Sequence, residues 1–412
     1  MKFLILTQYY PPEVGAPQVR LQAMIRELVA KGHQVEVVTA IPNHPLGRYF
    51  PGYKSRMYSW EISQGIKIHR TWIYPAIGAG LKRIFNYLSF TLSSFWGMMK
   101  AGRPDLVWVE SPPLFLGWTA MVYSCFRRVP FIFNIADLWP DSIIDLGLMR
   151  NGLAARMLYM AERAIYNRAK YVIAVTQGIR DRLINSKGLP ARKILYLPNG
   201  VDTEMFRPSP VDMQLAADLG LAGKDIILYS GTLGFAQGLG SVLEAFQIIR
   251  DSHRQMVLLM VGSGSERNKL QQMAQERNLD NVRFLDPVPP EMINKYLSIS
   301  LAGLVCLKDL ELFRGARPSK MFPIMSCGKP VIFCGRGEGA RLVHDSKGGV
   351  VVSPEDPTAL AKAIADLAGD GETSKQMGLN GRDYALKYLS WKRIVGEWLN
   401  QLESRQNDGN YE

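Results

Sequence analysis

The chain has little of what would mark a secreted, metal-bound or membrane-spanning protein. Cysteine is scarce, with four in 412 residues. Cys125, Cys306, Cys327 and Cys334 lack metal-ligand spacing and lie in or beside apolar runs, which predicts buried free thiols of a reducing compartment. No run reaches the ~20 uninterrupted apolar residues that a membrane-crossing helix requires. The apolar stretch Phe3 to Leu6 is too short for the core of a signal peptide, so a cytoplasmic location is expected. Low-complexity tracts and repeats of fixed period are missing, and only Arg405 to Glu412 reads as a loose polar tail. Acidic residues are short in one half: residues 1–200 carry 25 Lys+Arg against 11 Asp+Glu (+14), and the rest carry 24 against 26 (−2). That asymmetry predicts an anionic surface facing the first half. Without a nucleic-acid motif, a membrane is the expected surface rather than DNA or RNA.

What is present is an ordinary core, 47% hydrophobic and 21% charged, in a chain long enough for two or three domains. KFLILT predicts a first strand, Val19 to Ala30 a helix and VEVVTA a second strand, the opening of a doubly wound α/β domain. Ligands of such folds bind at the carboxyl ends of strands, which makes the loop Tyr9 to Pro17 a candidate site. Gly15 allows close backbone approach. Tyr10, Glu13 and Arg20 are candidate acceptor contacts, with plain surface residues as the alternative for Glu13 and Arg20. In KRIFNYLSFTLSSFWGMMK, residues 82–100, the polar residues Asn86, Ser89 and Ser93 share one helical stripe, and most of the rest is apolar or aromatic. Lys82, Arg83 and Lys100 bracket it. The pattern suits an interfacial helix on anionic lipid, or a core helix packed on a sheet. VPFIFNI is a strong strand that delivers ADLWPDS, so Asp137, Trp139 and Asp141 emerge where a ligand is held. Asp137 there is a general base on an acceptor hydroxyl or a helix N-cap, and Trp139 can stack on a sugar.

After Asn199-Gly200 and two prolines, Pro208 and Pro210, a second strand–helix alternation begins with DIILYSG. Its loop GTLGFAQGLG, with Gly231, Thr232, Leu233 and Gln237, and the loop holding Gly262 and Gly264 place glycine between strand and helix, where a diphosphate can approach backbone amides. The stretch ELFRGARPSKMFPIMSCGKPVIFCG, Glu311 to Gly335, predicts a helix with Pro318 at its first position and Ser319 and Lys320 in its first turn. A cation there opposes the helix dipole unless an anion lies between, and Arg317 and Lys320 would add charge-assisted donors. Gly337-Glu338-Gly339 opens a further helix. The last helix, Ser390 to Leu402, carries Trp391, Ile394, Val395, Trp398 and Leu399 on one face, which must pack somewhere.

These motifs resemble glycosyltransferase family 4, through YYPPEVGAP with Arg20, SPPLFLG, DLWPDS, NGVDTEMFRP, YSGTLGFAQGL, VGSGSE and PSKMFPIMSCGKPVI. The DLWP and PSK forms are most similar to bacterial O-antigen, capsule and colanic-acid transferases of the N-acetyl-L-fucosamine transferase type. The resemblance implies a GT-B fold of two facing Rossmann-like domains with a deep cleft. An acceptor domain spans 1–193, with helix 388–404 packing back on it, and a donor domain spans 194–387. It implies retaining, metal-independent transfer, without a cofactor, from a nucleotide-sugar, UDP-linked, to a lipid-linked saccharide in surface polysaccharide synthesis at the inner face of the cytoplasmic membrane. By the same resemblance Asp137, Arg317 and Lys320 are catalytic and the glycine loops hold the donor with Ser319. The family's pair of glutamates is replaced by Gly315 and Pro323, which leaves Glu311 or Glu338 as substitutes. The alternatives are a nucleotide-sugar 2-epimerase and a non-catalytic scaffold of the same fold.

Overall fold

The computed structural model describes residues 1–13, 15–78, 80–145, 149 and 152–408. The chain forms two units, Met1–Pro198 with Ile394–Glu412, and Asn199–Arg393. In the first, β1 (Lys2–Leu6), β2 (Gln34–Ala40), β3 (Tyr58–Ser63), β4 (Ile66–Thr71), β5 (Leu106–Ser111), β6 (Phe131–Ile135), β7 (Tyr171–Ala174) and β8 (Ile194–Tyr196) make one sheet. Its order is β3-β4-β2-β1-β5-β6-β7-β8, parallel except for β3 against β4. Helices α1 (Ala16–Ala30), α2 (Leu81–Lys100), α3 (Leu116–Arg127), α4 (Asp141–Asp145), α5 (Leu153–Arg168) and α6 (Gln177–Asn185) connect the strands. β5 and β6 are buried at every residue, which is why they are mostly apolar, with Glu110, Ser111 and Asn134 as the buried polar exceptions. The chain leaves β1 in one direction and returns at β5 on its other side, so the switch point lies between their carboxyl ends.

The β3–β4 hairpin has no counterpart in the sequence reading. Its two-residue turn, Gln64-Gly65, takes positive φ at both positions (50° and 76°), the geometry that matches strand twist in a tight hairpin.

The second unit holds β9 (Asp225–Ser230), β10 (Met256–Val261), β11 (Val282–Leu285), β12 (Ala302–Cys306), β13 (Val331–Cys334) and β14 (Gly349–Val352), all parallel, in the order β11-β10-β9-β12-β13-β14. Its helices are α7 (Met213–Asp218), α8 (Gly240–Ile249), α9 (Arg267–Glu276), α10 (Pro290–Ser298), α11 (Met321–Ser326), α12 (Glu338–Ser346), α13 (Pro357–Gly369) and α14 (Gly371–Tyr384). Here the switch point lies between β9 and β12. The four cysteines are free thiols; Cys306, Cys327 and Cys334 are buried, whereas Cys125 is exposed.

Helix α15 (Trp391–Asp408) carries the chain back into the first unit. Trp398 is fully buried there, 5.3 Å from the Trp108 ring of β5 and 6.2 Å from that of Phe3 in β1.

Besides Cys125, exposed where burial was expected, the start of one helix departs from the expectation. The helix after Pro318 begins at Met321, so Lys320 is its flanking residue and not part of its first turn. Pro323 explains this. It has no N–H to give the Ser319 carbonyl, which instead accepts from Phe322 N at 3.3 Å, in a tighter three-residue turn.

Candidate functional site

The carboxyl edge of the second sheet is built by two loops lying on each other. Gly231 N donates to Val261 O and Leu233 N to Ser263 O, each at 2.9 Å, and Leu233 O accepts from Glu266 N at 2.9 Å. A Cβ on Gly262 would stand 1.9 Å from the Gly231 carbonyl oxygen, and one on Gly264 2.2 Å from that of Leu233. Both glycines are therefore required by the packing of loop on loop, whatever else they contact. Leu233 is fully buried, so only its backbone can face a ligand. Gln237 caps its own loop, its Oε1 accepting from Gly234 N at 3.2 Å. Thr232 is exposed.

Lys320 reaches this edge from the loop after β12. Its Nζ donates to the Tyr229 hydroxyl at 2.7 Å and lies 4.2 Å from that ring's centroid. The Tyr229 hydroxyl in turn donates to Thr232 O at 2.6 Å. A Cβ on Gly231 would come within 3.1 Å of the ammonium, so glycine leaves the space beside it open. Loss of water around it pushes the Lys320 pKa down to about 8, opposed by the Cys306 side chain, and among the described residues no carboxylate pairs with it. The sequence reading missed Tyr229; its signal is a tyrosine two residues before the first loop glycine at the end of a buried strand.

Arg317 stacks with its Cζ 5.6 Å from the Phe322 ring, and its Nε is 3.7 Å from Glu338 Oε1. Glu338, the first residue of α12, is 8% exposed. Glu311 points to solvent and pairs with Arg314 at 3.0 Å, and Ser319 is exposed. Of the two acidic substitutes, Glu338 is thus the one beside a candidate cation.

In the first unit the loop after β1 is spent on its own architecture. Glu13, 2% exposed, accepts from Asn43 N and His44 N at 2.8 Å and from Tyr10 N at 3.4 Å. Burial outweighs these bonds and pushes its carboxyl up to about 7. Arg20, 8% exposed, donates to Glu110 Oε1 at 2.6 Å and to Asn134 Oδ1 at 3.1 Å. Tyr10 is buried as well. Glu13 and Arg20 are thus bonded to protein partners and support the loop from within, and Tyr10 is packed beside them, so all three lie inside the fold and not on its surface. Gly15 precedes α1 in extended backbone, φ 174°, and a Cβ there would meet Gln18 Oε1 at 2.7 Å.

Asp137 follows β6 and is exposed. Displacement of water by the atoms around its carboxyl raises its pKa, with Asp141 adding and Ser142 and the Leu138 amide opposing. Helix α4 begins at Asp141, so Asp137 is not its N-terminal residue. Trp139 is half-buried, edge-on to Phe115 at 5.9 Å. Among the described residues no three His, Cys, Asp or Glu side chains gather to hold a metal ion.

Two family models match the chain. One, described as a glycosyl transferase 4-like domain, takes residues 15–200, and the other, glycosyl transferases group 1, takes residues 215–384. WcaI of Escherichia coli K12, named for a glycosyl transferase of colanic acid biosynthesis, is 27% identical over 98% of this chain and 100% of its own. A mannosyltransferase of Mycolicibacterium smegmatis, named as GDP-mannose-dependent and acting on phosphatidylinositol monomannoside, is 28% identical over 98% and 99%. Among solved structures, sucrose-phosphate synthase of Thermosynechococcus elongatus superposes with a TM-score of 0.77 at 21% identity, covering 99% of both chains. Anabaena HepE, crystallised with UDP and glucose, gives 0.73 at 18% identity, covering 98% of this chain and 100% of its own.

Proposed function

The chain belongs to the group 1 glycosyltransferases and has their GT-B fold, and from that footing we propose that it moves a sugar from a UDP-linked donor to a lipid-linked saccharide acceptor. The observation that carries this reading is Lys320, a cation held among neutral partners beside the open face of Gly231 at the switch point of the second sheet. A site that keeps a desolvated ammonium without a counter-ion is suited to an anion that arrives with the substrate. A donor diphosphate fits: Lys320 and Arg317 would offset the charge that develops on it as the glycosidic bond to phosphate breaks. The Gly231 and Thr232 backbone would border it, and Glu338 would take a sugar or ribose hydroxyl.

The acceptor belongs to the first unit in this reading. Asp137, with its raised pKa, would accept the proton of the attacking hydroxyl, and Trp139 would face the sugar. Transfer with retention is expected of the family and is part of the proposal. Two comparisons support the substrates: HepE was crystallised with UDP, and the mycobacterial relative is named for a phosphatidylinositol acceptor. That relative is also named for GDP-mannose, so GDP is the competing nucleotide.

The membrane role of residues 82–100 gains support from the way α2 is turned. Its polar stripe faces inward: Asn86 accepts from Gln8 Nε2 at 2.8 Å and donates to Tyr74 O at 2.7 Å, and Ser93 bonds the Trp72 carbonyl. Phe90 and Met98 pack in the core, but many of its other apolar residues face outward, with Leu92 78%, Leu81 74% and Phe85 63% exposed. Trp118, Val122 and Phe126 of α3 extend that surface. Among the described residues no helix is long and apolar enough to cross a membrane. Such a face suits lying on anionic lipid.

Thermal-shift titration with UDP-, GDP- and dTDP-sugars tests the donor. The UDP-sugar is expected to stabilise the wild type and to lose that effect in Lys320→Ala. Absence of a shift with every nucleotide would favour a non-catalytic scaffold.

A further inference from the structure

Helix α2 opens on two cations, Lys82 and Arg83, with no acidic residue in its first turn, an arrangement that opposes the helix dipole. Lys82 is exposed, but Arg83 turns inward. It donates to the Tyr9 hydroxyl, to Ala76 O at 3.3 Å and to Asn86 Oδ1 at 3.5 Å, and its Cζ stands 4.6 Å from the Tyr87 ring centroid. All these partners are uncharged; the ionisable groups that bear on the guanidinium are the Tyr9 and Tyr87 hydroxyls and the His44 ring, and among the described residues no carboxylate pairs with it. A half-buried guanidinium without a carboxylate is the exception in proteins, and it marks a place for an anion.

Two further groups at this spot have unused hydrogen-bonding capacity. The His44 ring meets Tyr9 edge-on at 5.3 Å, and its buried Nδ1 has no partner. Gln8, fully buried, donates its Nε2 to Asn86, while its Oε1 has no partner. Buried polar atoms left unpaired are costly; His44 Nδ1, when it carries the ring proton, offers an anion a donor beside the unneutralised cation, whereas Gln8 Oε1 accepts only and is matched by a hydroxyl or a water. The shape of that ligand follows from the neighbouring surface. The same turns of α2 expose Leu81, Ile84, Phe85 and Leu88. An anion here has an apolar chain's worth of surface beside it.

We propose that Arg83, His44 and Tyr9 seat the phosphate of an acceptor carried on an apolar chain, with the chain laid along the outward face of α2. The proposal rests on the lipid-linked acceptor argued above and gives that acceptor a site, distinct from the donor's cation Lys320 in the other unit. Arg83 supplies the charge-assisted donors, His44 the second polar contact, and Tyr9 orients the guanidinium.

Isothermal titration calorimetry with farnesyl diphosphate below its micellar concentration tests it, with UDP at saturation to occupy the donor site. Farnesol, inorganic diphosphate and phosphatidylglycerol vesicles are the comparison ligands. The wild type is expected to bind farnesyl diphosphate at least about tenfold more tightly than farnesol, and Arg83→Gln to lose that advantage, as one charged hydrogen-bond pair implies. Lys82→Gln, which removes the same charge one residue away, is expected to change it less than about twofold. Tyr9→Phe keeps the ring and gives a second, milder reading should Arg83→Gln fold poorly. Equal losses in Arg83→Gln and Lys82→Gln, equal binding of farnesol, or an Arg83-dependent response to the vesicles alone would each overturn the seat. If Arg83-dependent binding of farnesyl diphosphate occurs in a protein that binds no nucleotide, the seat stands and the transferase mechanism falls. The reverse result leaves the donor reading standing and removes the seat.

Discussion

At the scale of single residues, a half-buried lysine and a buried glutamate set opposite pH signatures. Lys320 has a folded pKa of about 8, below the ordinary 10.5, so the unfolded chain binds more protons between those values. Stability should therefore rise with pH across that window, while affinity for a donor diphosphate should fall once the ammonium deprotonates. Nucleotide titrations at pH 7 and pH 9 should show the weaker binding at pH 9, and Lys320→Met should abolish the difference. Glu13 is the converse case. Its folded pKa of about 7 stands above the ordinary 4.5, so its contribution is fully present below pH 4.5 and is lost as the pH rises through 7. A gap of that size corresponds to about 3 kcal/mol. Urea unfolding of Glu13→Gln should show a smaller loss of stability between pH 5 and pH 8 than the wild type, and an unchanged loss would refute the assignment. Neither shift was legible in the sequence. The loops were recognisable from YYPPEVGAP and from the glycines, but whether Glu13 and Arg20 face a ligand or the interior depends on Asn43, His44, Glu110 and Asn134, which are far away along the chain.

Elements show where periodicity informs and where it misleads. The stripe of Asn86, Ser89 and Ser93 was visible in α2, but period alone cannot say which side faces water. Convention puts the polar side out, whereas here it bonds to Gln8, Tyr74 and Trp72 inside. The two sides should answer oppositely to mutation. Asn86→Leu strands the Gln8 amide and the Tyr74 carbonyl and should cost about 1–3 kcal/mol, read by chemical denaturation. Leu92→Glu on the outward side should leave stability within about 0.5 kcal/mol yet release the protein from phosphatidylglycerol vesicles in flotation. Unchanged flotation would show that α2 does not meet lipid. Most strands of the two sheets were legible because buried parallel strands are rich in apolar residues, whereas β14, only one of whose four residues is buried, was not read. The β3–β4 hairpin was not, since it lies at a sheet edge, where Trp60 and Ile62 are 58% and 67% exposed and burial no longer shapes the pattern. The turn before α11 shows a single residue overriding a pattern: Pro318 announces a helix start, and Pro323, five residues on, delays it.

The whole chain repeats one design, a mainly parallel sheet whose strand order reverses at a switch point, in each of two units. Helix α15 completes the first unit from the far end of the sequence, and Trp398 fills space against Trp108 and Phe3. Trp398→Ala should cost about 3–5 kcal/mol. Hydrogen exchange should quicken within residues 1–198 while residues 199–393 keep their protection; loosening of both would contradict the division. The two-unit architecture could be read from the alternation of strands and helices, but the placement of Lys320 among neutral partners could not, because it joins residues 229, 231 and 320. Its consequence is open to direct inspection in crystals soaked with a UDP-sugar. The account predicts the diphosphate against Lys320 Nζ and the open face of Gly231, and a bound nucleotide that leaves Lys320 on Tyr229 with no phosphate near it would contradict the account.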